Sequence, residues 1–167
     1  MTRIYTLDEI RQDHTPIRQV FFNAMLAGYA AKIPKIVSSA DSPHCKVFEY
    51  TEGANWLVTD TYHVTPNSDF SGGTTVIYYA YVPVWMMQYF GHYPEATIPF
   101  LKEALALEYG RRRFTGGRGQ MSLVKEDRNY INDVAGDFSR FNGIEQIRRG
   151  DKPEVIGWHR YHGGLMI

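Results

Sequence analysis

The chain has 167 residues, of which 44% are hydrophobic and 22% are charged, and its formal net charge is zero. This composition supplies enough apolar side chains for the core of one domain and excludes a chain that is disordered by composition. A surface that binds nucleic acid usually carries an excess of Lys and Arg, so the balanced charge argues against nucleic acid as a partner.

The sequence also argues against disulfides, metal sites and membrane anchors. Cys45 is the single cysteine, so neither an intramolecular disulfide nor a cysteine-rich zinc site can form. The six histidines are scattered without the short spacing of metal ligands, and we expect no metal and no other cofactor. The N-terminus has no apolar signal core, and the longest apolar stretch, 77–87, is too short to cross a bilayer. By exclusion, we expect a cytoplasmic protein that does not bind membranes.

Two helices are predicted near the N-terminus. Thr6 followed by Glu9 has the form of a capping box, which predicts a short helix to about Gln12. A second helix is predicted over 15–31, because proline suits its first turn and apolar residues recur at spacings of three and four. The segment 32–43 contains two prolines and several small polar residues, and we expect a loop there.

Strands are predicted after this loop. Residues 47–50 and 56–62 are two β-favouring runs around a turn with glycine and asparagine, which is typical of a hairpin. A second hairpin is predicted from 74–79 to 84–89, with its bend near Tyr81. Further strands are predicted at 130–134, 143–148 and 155–161.

A third helix is predicted between the two groups of strands. Thr97 can cap it, Pro99 suits its first turn, and Gly110 is placed to end it in a left-handed conformation. The predicted fold class is α+β, with N-terminal helices, a mostly antiparallel curved sheet built from two similar halves, and one helix between the halves that packs on the sheet. We expect a single domain over 1–167, divided into a helical N-terminal segment (1–44), a first strand unit (45–96), a helix (97–110) and a second strand unit (120–167).

One short pattern occurs twice with the same internal spacing. The first copy contains Phe70, Gly72, Val76 and Val84, and the second contains Phe141, Gly143, Ile147 and Val155. We interpret the pattern as a strand–turn–strand unit used twice, with the two Phe-x-Gly segments in matching places of one sheet. Chance recurrence of common β-strand residues is the alternative.

Several short motifs follow one another in a distinctive order. They are Asp60-Thr61-Tyr62, Phe70-x-Gly72, Pro83-Val84-Trp85 with Tyr89-x-Gly91, Phe100-Leu101-Lys102-Glu103-Ala104-Leu105, Gly136-Asp137, Phe141-x-Gly143-x-Glu145 and Tyr161-His162-Gly163-Gly164. In this order they resemble a bacterial family of uncharacterised domains, some members of which follow an Xre-type helix-turn-helix in transcriptional regulators.

The resemblance implies a bacterial or phage-borne cytoplasmic protein, and it transfers no activity and no catalytic residue. In that family an acidic residue follows the first Phe-x-Gly, where this chain has Thr74. A pair of symmetric carboxylates is therefore not implied. The N-terminal helices do not form a helix-turn-helix by their pattern, so a DNA-binding role is not implied either.

The first functional hypothesis is a small-molecule ligand-binding or sensory module with an aromatic-lined pocket. Aromatic residues make up 14% of the chain and twelve of them are tyrosines, whose rings can line a pocket while their hydroxyls reach a ligand. The candidate ligand-binding residues are Trp56, Tyr62, Trp85, Tyr89 and Trp158 as walls, with Arg118, Glu145 and His162 as orienting groups.

The basic, glycine-rich segment 111–120 bears on the nature of the ligand. Guanidinium groups and exposed backbone N–H groups suit phosphate and carboxylate, so a small anionic molecule is the predicted partner. The alternative is that these arginines only complement the negative end of the preceding helix.

Two other functions stay open. In the first, the protein is an enzyme that uses His162 with Glu145 or Asp137 as acid–base groups on an anionic substrate, because a histidine beside a carboxylate can exchange protons near neutral pH. In the second, the aromatic residues form a protein-interaction surface. The sequence leaves unresolved whether the protein is an enzyme, and its oligomeric state.

Overall fold

A computed structural model of the chain describes residues 4–28, 30, 36–38, 43–150 and 154–167, and for residues 36–38 it describes the backbone alone. The helices are α1 (Leu7–Gln12), α2 (Thr15–Ala27) and α3 (Ile98–Gly110), the last preceded by a 3-10 turn at Glu95–Thr97. The strands are β1 (Ile36–Ser38), β2 (Cys45–Glu52), β3 (Trp56–Val64), β4 (Phe70–Tyr79), β5 (Val82–His92), β6 (Ser122–Lys125), β7 (Arg128–Asp137), β8 (Arg140–Arg149) and β9 (Val155–Leu165).

These strands form one antiparallel sheet in the order β1-β2-β3-β4-β5-β9-β8-β7-β6. Strands that follow one another along the chain pair within each group, β1–β5 and β6–β9, because hairpin connections bring them together. The last strands of the two groups, β5 and β9, pair with each other and join the groups. The chain passes from one group to the other through α3, so the predicted α+β class is confirmed.

The core lies between one face of the sheet and the helices α2 and α3. Phe21 of α2 stacks obliquely on Trp85 of β5, with ring centroids 5.1 Å apart, and meets Tyr109 of α3 edge-on at 6.0 Å. Trp85 also stacks on Phe138 and Phe141, which come from the second group of strands. This aromatic cluster therefore ties both groups of strands to the helices.

The predicted helix starts and ends are confirmed in part. The capping box of α1 is present, because the Glu9 amide donates to Thr6 Oγ1 at 3.2 Å and the Thr6 amide donates to Glu9 Oε2 at 2.8 Å. Thr97 lies at the N-cap of α3, but its hydroxyl donates to the Pro94 carbonyl instead of capping an amide. The prediction for Gly110 is wrong: it is the last helical residue, and Arg112 two positions later has the positive φ of 53°.

The structure contains two strands that the sequence did not predict. Residues 36–38 form β1 where a loop was predicted, and they pair with β2 through backbone hydrogen bonds. Strand β6 follows the basic segment and pairs with β7. Both are short edge strands, and such strands are defined by their neighbour more than by their own side chains.

The two Phe-x-Gly segments have different surroundings. Phe70 is 43% exposed and stacks on Phe90, whereas Phe141 is 3% exposed and stacks on Trp85 in the core. Successive residues of a strand point to opposite faces, and these two side chains lie on opposite faces of the sheet. The two copies of the sequence pattern therefore do not place Phe70 and Phe141 in equivalent environments.

Candidate functional site

Polar side chains interrupt the apolar residues on the face of the sheet that the helices cover. In β3, Asp60 follows the buried Val58 by two positions, and in β8, Glu145 precedes the buried Ile147 by two. Because strand residues two apart share a face, both carboxyl groups point under the helices. Such groups are costly to bury without partners, so their contacts define what this region can do.

Glu145 is completely buried and fully paired. Arg118 donates to Glu145 Oε1 through Nε at 2.8 Å and through Nη2, and Tyr130 donates to Oε2 at 2.6 Å. Burial is the largest single cause and lowers the pKa of the Arg118 guanidinium, but Glu145, Tyr109 and Tyr93 together raise it, and the net direction is well upward. Arg118 and Glu145 therefore form a buried ion pair.

The basic segment that carries Arg118 is packed against the sheet. Asn132 of β7 donates through Nδ2 to the carbonyls of Thr115, at 2.9 Å, and Gly119, at 3.0 Å, and it accepts a 2.5 Å hydrogen bond from Tyr161. Gly116 has a φ of 69°, and a Cβ there would lie 2.5 Å from the Tyr161 ring. The glycines of this segment thus allow a close approach to the sheet.

Asp60 is the second buried carboxyl group, and it is only partly paired. Its Oδ1 accepts hydrogen bonds from Thr75 at 3.1 Å and from Tyr89 at 2.8 Å, and no described residue donates to Oδ2. The residue is 9% exposed, and burial raises the pKa of the carboxyl group although both hydrogen bonds oppose that shift. One oxygen of a buried carboxyl group is left available to a ligand.

His159 lies between the two carboxyl groups. Its Nε2 is 3.4 Å from Ser71 Oγ, its Nδ1 is 3.5 Å from Arg118 Nη2, and its ring stacks on Tyr89 with centroids 5.6 Å apart. Burial and the positive charge of Arg118 lower its pKa to about 2, so the ring is neutral at physiological pH.

The spacing of Ser71, His159 and Glu145 resembles a nucleophile, a base and an acid, but the hydrogen-bond directions differ from that arrangement. A guanidinium can only donate, so Nδ1 of His159 accepts from Arg118 and the ring proton resides on Nε2. Nε2 then donates to Ser71 Oγ and cannot take a proton from it.

A cavity of about 570 Å³ opens beside this cluster, between the helices and the strands β3, β4, β5 and β9. Its inner wall contains Asp60, Thr75, Tyr89, Tyr109, Arg118 and His159, and Met87, Leu101 and Leu105 supply apolar surface. Lys46, Asp69, Glu95 and Lys102 stand at its mouth. This volume lies within the range of about 300–1,000 Å³ for small-molecule sites.

The structure brings together four of the eight predicted ligand-binding residues. Tyr62, Tyr89 and Arg118 line the cavity, and Glu145 lies directly behind Arg118. Burial raises the pKa of Tyr62 to about 12 and raises that of Tyr89 well above its ordinary value, so both hydroxyls stay protonated.

The other four predicted residues lie elsewhere. Trp56 and Trp85 are buried in the core. Trp158 meets Phe70 and Phe90 edge-on at the opposite face, and His162 lines an open groove of about 750 Å³ on that same face.

The predicted acid–base partners of His162 do not lie beside it. Glu145 points to the helix-covered face, where Arg118 and Tyr130 hold it. Asp137 is exposed in the β7–β8 hairpin, and its Oδ1 accepts from the Ser139 amide at 2.8 Å, which is typical of a turn residue. Among the described residues, no three His, Cys, Asp or Glu side chains come together as in a metal site.

Sequence reasoning missed Asp60, Thr75 and His159 as site residues. The signal for Asp60 was present, because it occupies an inward position of the alternation that also contains Val58 and Tyr62. A polar residue in such a position is a candidate for a buried, functional group. His159 lies next to Tyr161 on the inward face of β9, whereas His162 lies on the outward face.

The comparison with known proteins identifies the family. The model of the family described as "Domain of unknown function (DUF5680)" matches residues 60–166. The chain belongs to this family. The matched part of this DUF5680 protein contains Asp60, Arg118, Glu145 and His159, and it confirms the predicted resemblance to an uncharacterised domain family. No curated protein and no solved structure matches the chain. Within the described ranges, no helix combines the length and the apolar character of a membrane span.

Proposed function

We propose that this DUF5680 protein is a ligand-binding or sensory module for a small molecule, with its site in the cavity under α2 and α3. The observation that carries the proposal is the free Oδ2 of the buried Asp60 in a cavity of suitable size. Asp60 lines the cavity, so a ligand inside it can donate a hydrogen bond to this oxygen. A bacterial origin and a cytoplasmic location are further proposals, and they rest on the family resemblance.

We further propose that two three-strand units of the sheet are copies of one repeat, in which β3 corresponds to β7, β4 to β8, and β5 to β9. The strand registers support this, because Asp60 pairs with Thr75 as Asn132 pairs with Glu145. Both β4–β5 and β8–β9 also have a register shift, which follows Ile77 in the first unit and Ile147 at the corresponding position of the second.

The same correspondence relates the polar groups. Tyr89 donates to Asp60 Oδ1 at 2.8 Å, and Tyr161, at the corresponding position of β9, donates to Asn132 Oδ1 at 2.5 Å. We name Asp60, Thr75 and Tyr89 the first half-site, and Asn132, Glu145 and Tyr161 the second half-site. The segment 111–120 covers the second half-site, whereas the first faces the cavity.

A thermal-shift screen of a broad metabolite library tests the ligand-binding proposal. A ligand that binds the native state raises the melting temperature. Ile98→Trp, at the cavity wall, should abolish the shift because the larger ring fills the space. Leu107→Trp is the matched control, because Leu107 is an exposed residue of the same helix that does not line the cavity. A hit that Ile98→Trp leaves unchanged, or a screen without hits, would contradict the proposal.

The interaction-module alternative is favoured by one feature, the outer aromatic cluster of Phe70, Phe90, His92 and Trp158. Phe90 is 55% exposed and stacks on Phe70 with centroids 5.6 Å apart. If this cluster mediates self-association, sedimentation velocity should show a concentration-dependent oligomer that Phe90→Ser reduces to a monomer. The enzyme alternative with His162 stays a prediction, and no contact of His162 with Glu145 or Asp137 supports it.

A further inference from the structure

The charges around the cavity do not balance at its inner end. Arg118 is paired with Glu145 and His159 is neutral, so among the described residues at this end no further cation balances the Asp60 carboxylate. At the mouth, two lysines face two acidic residues and contribute no excess of either sign. The inner end therefore favours a cation over an anion.

The second half-site indicates which type of group can bind Oδ2 of Asp60 in the first half-site. There the protein supplies its own cation, because the Arg118 guanidinium binds Glu145 while Asn132 holds the backbone of the same segment. The carboxyl group of the second half-site, Glu145, lies on β8, whereas that of the first half-site, Asp60, lies on β3. No described side chain of the protein supplies a cation to Asp60 Oδ2.

The remaining walls select the rest of the ligand. Met87, Leu101 and Leu105 provide apolar contacts, and the rings of Tyr62 and Tyr89 can face a cation. Arg118 already places its guanidinium 5.5 Å from the centroid of the Tyr89 ring.

We propose that the cavity binds an organic ammonium ion, with the ammonium group on Asp60 and the apolar body against α3. This inference rests on the proposed ligand-binding function and names its ligand class. The ligand's N–H groups donate to Oδ2, while Thr75 and Tyr89 continue to hold Oδ1.

Three probes with one phenyl body and different charges test the inference on the full chain by isothermal titration calorimetry. They are 2-phenylethylamine, 2-phenylethanol and 3-phenylpropionate. The amine is expected to bind at least about tenfold more tightly than the alcohol and the acid, as a charge-assisted hydrogen bond allows. Tighter binding of the alcohol or the acid would overturn the ammonium inference and leave the ligand-binding proposal standing. Absence of binding by all three probes, together with a negative library screen, would overturn both.

Asp60→Asn should remove the preference for the amine. The variant keeps an oxygen for Thr75 and Tyr89, and Asn132 already occupies the corresponding place beside Tyr161, so the fold is expected to survive. Asp133→Asn, a loss of the same charge at an exposed position of β7 that does not line the cavity, is the matched control and should retain the preference. An amine affinity that Asp60→Asn leaves unchanged would contradict the inference.

The pH dependence of amine binding to the unmodified chain supplies a test that needs no variant. The described titratable groups that line the cavity with Asp60 are Tyr62, Tyr89, Tyr93, Tyr109, Arg118 and His159 at its inner end and Lys46, Asp69, Glu95 and Lys102 at its mouth. The shifted pKa values of Tyr62, Tyr89, Tyr109, Arg118 and His159 keep their charges constant between pH 5 and 8. The amine affinity should therefore fall as the pH drops through the raised pKa of Asp60, and the alcohol affinity should not. An amine affinity that is constant down to pH 4 would overturn the inference.

Discussion

The buried pair of Arg118 and Glu145 is the residue-scale feature on which the second half-site depends. Replacing Arg118 by Met leaves the Glu145 carboxylate buried without its cation, because Tyr130 alone stays as a donor. We expect a loss of about 3–5 kcal/mol in the free energy of unfolding, measured by urea denaturation.

Two controls belong to that measurement. Replacing both Arg118 and Glu145 by Met should cost less than Arg118→Met alone, since no charge is then left buried. Lys125→Ala breaks the exposed ion pair with Glu103 and should change stability by no more than about 1 kcal/mol. An Arg118→Met variant as stable as the parent chain would contradict a buried ion pair.

The second residue-scale prediction concerns His159 and acid. Its folded-state pKa of about 2 lies below the ordinary value, so between these two values the unfolded chain binds more protons and stability falls as the pH falls. Taking an unfolded-state pKa of about 6.5, we expect a loss of about 2 kcal/mol between pH 7 and pH 5. His159→Gln removes this contribution, while the opposite effect of the raised Asp60 pKa is common to both chains. Parallel stability–pH curves for the two chains would contradict a buried neutral histidine.

At the residue scale the sequence predicts types of groups better than their partners. Arg118 and Glu145 were both predicted as site residues from their surroundings in the sequence, but nothing local pairs two groups 27 positions apart. Asp60 could be recognised from the alternation of β3. The choice between His159 and His162 depended on which face of β9 is covered, and that is decided by the helices.

At the scale of elements, the segment 111–120 is the one whose behaviour the sequence describes least well. Its glycines and arginines suggested an anion-binding loop. Asn132 and Tyr130 hold its glycine-rich part on the sheet by hydrogen bonds, and Gly116 lies against the Tyr161 ring. By contrast, long strands with clear β-favouring runs, such as β4 and β9, were predicted within a few residues. Short elements such as β1 and β6 depend on a neighbouring strand, which no local pattern records.

Asn132→Leu should loosen this segment. The change removes both hydrogen bonds to the loop carbonyls and leaves Tyr161 without its acceptor. Limited tryptic digestion should then cleave after the arginines of 111–120 about tenfold faster than in the parent chain, because local opening becomes easier. Asp133→Ala, at the neighbouring exposed position of the same strand, is the control and should not change the rate. Equal cleavage of all three chains would contradict the role given to Asn132.

At the scale of the whole molecule, the β5–β9 pairing joins the two proposed copies of the repeat. Gly91 of β5 and Gly163 of β9 occupy corresponding positions of the two copies and meet the opposite strand in the same way. A Cβ on Gly91 would lie 2.8 Å from His159 Cα, and one on Gly163 would lie 2.8 Å from Met87 Cα. The backbones therefore approach each other closely at both places.

Gly91→Ala and Gly163→Ala should each lower the free energy of unfolding by at least about 2 kcal/mol, and by similar amounts, because backbone atoms must move. Gly110→Ala is the matched control: it has open space around it at the end of α3, and alanine should stabilise the helix by about 0.5–1 kcal/mol. Urea denaturation of the three variants measures this. Strongly unequal effects of the first two changes would contradict the proposed two-fold correspondence.

The most direct test of the proposed site is the pKa of the Asp60 carboxyl group, followed by carbon-13 NMR titration with and without 2-phenylethylamine. Asp60 should titrate above the ordinary value of about 3.9 in the free protein, and saturation with the amine should lower its pKa. An Asp60 carboxyl that titrates at its ordinary value and ignores the amine would contradict a buried, available carboxylate at the inner end of the cavity.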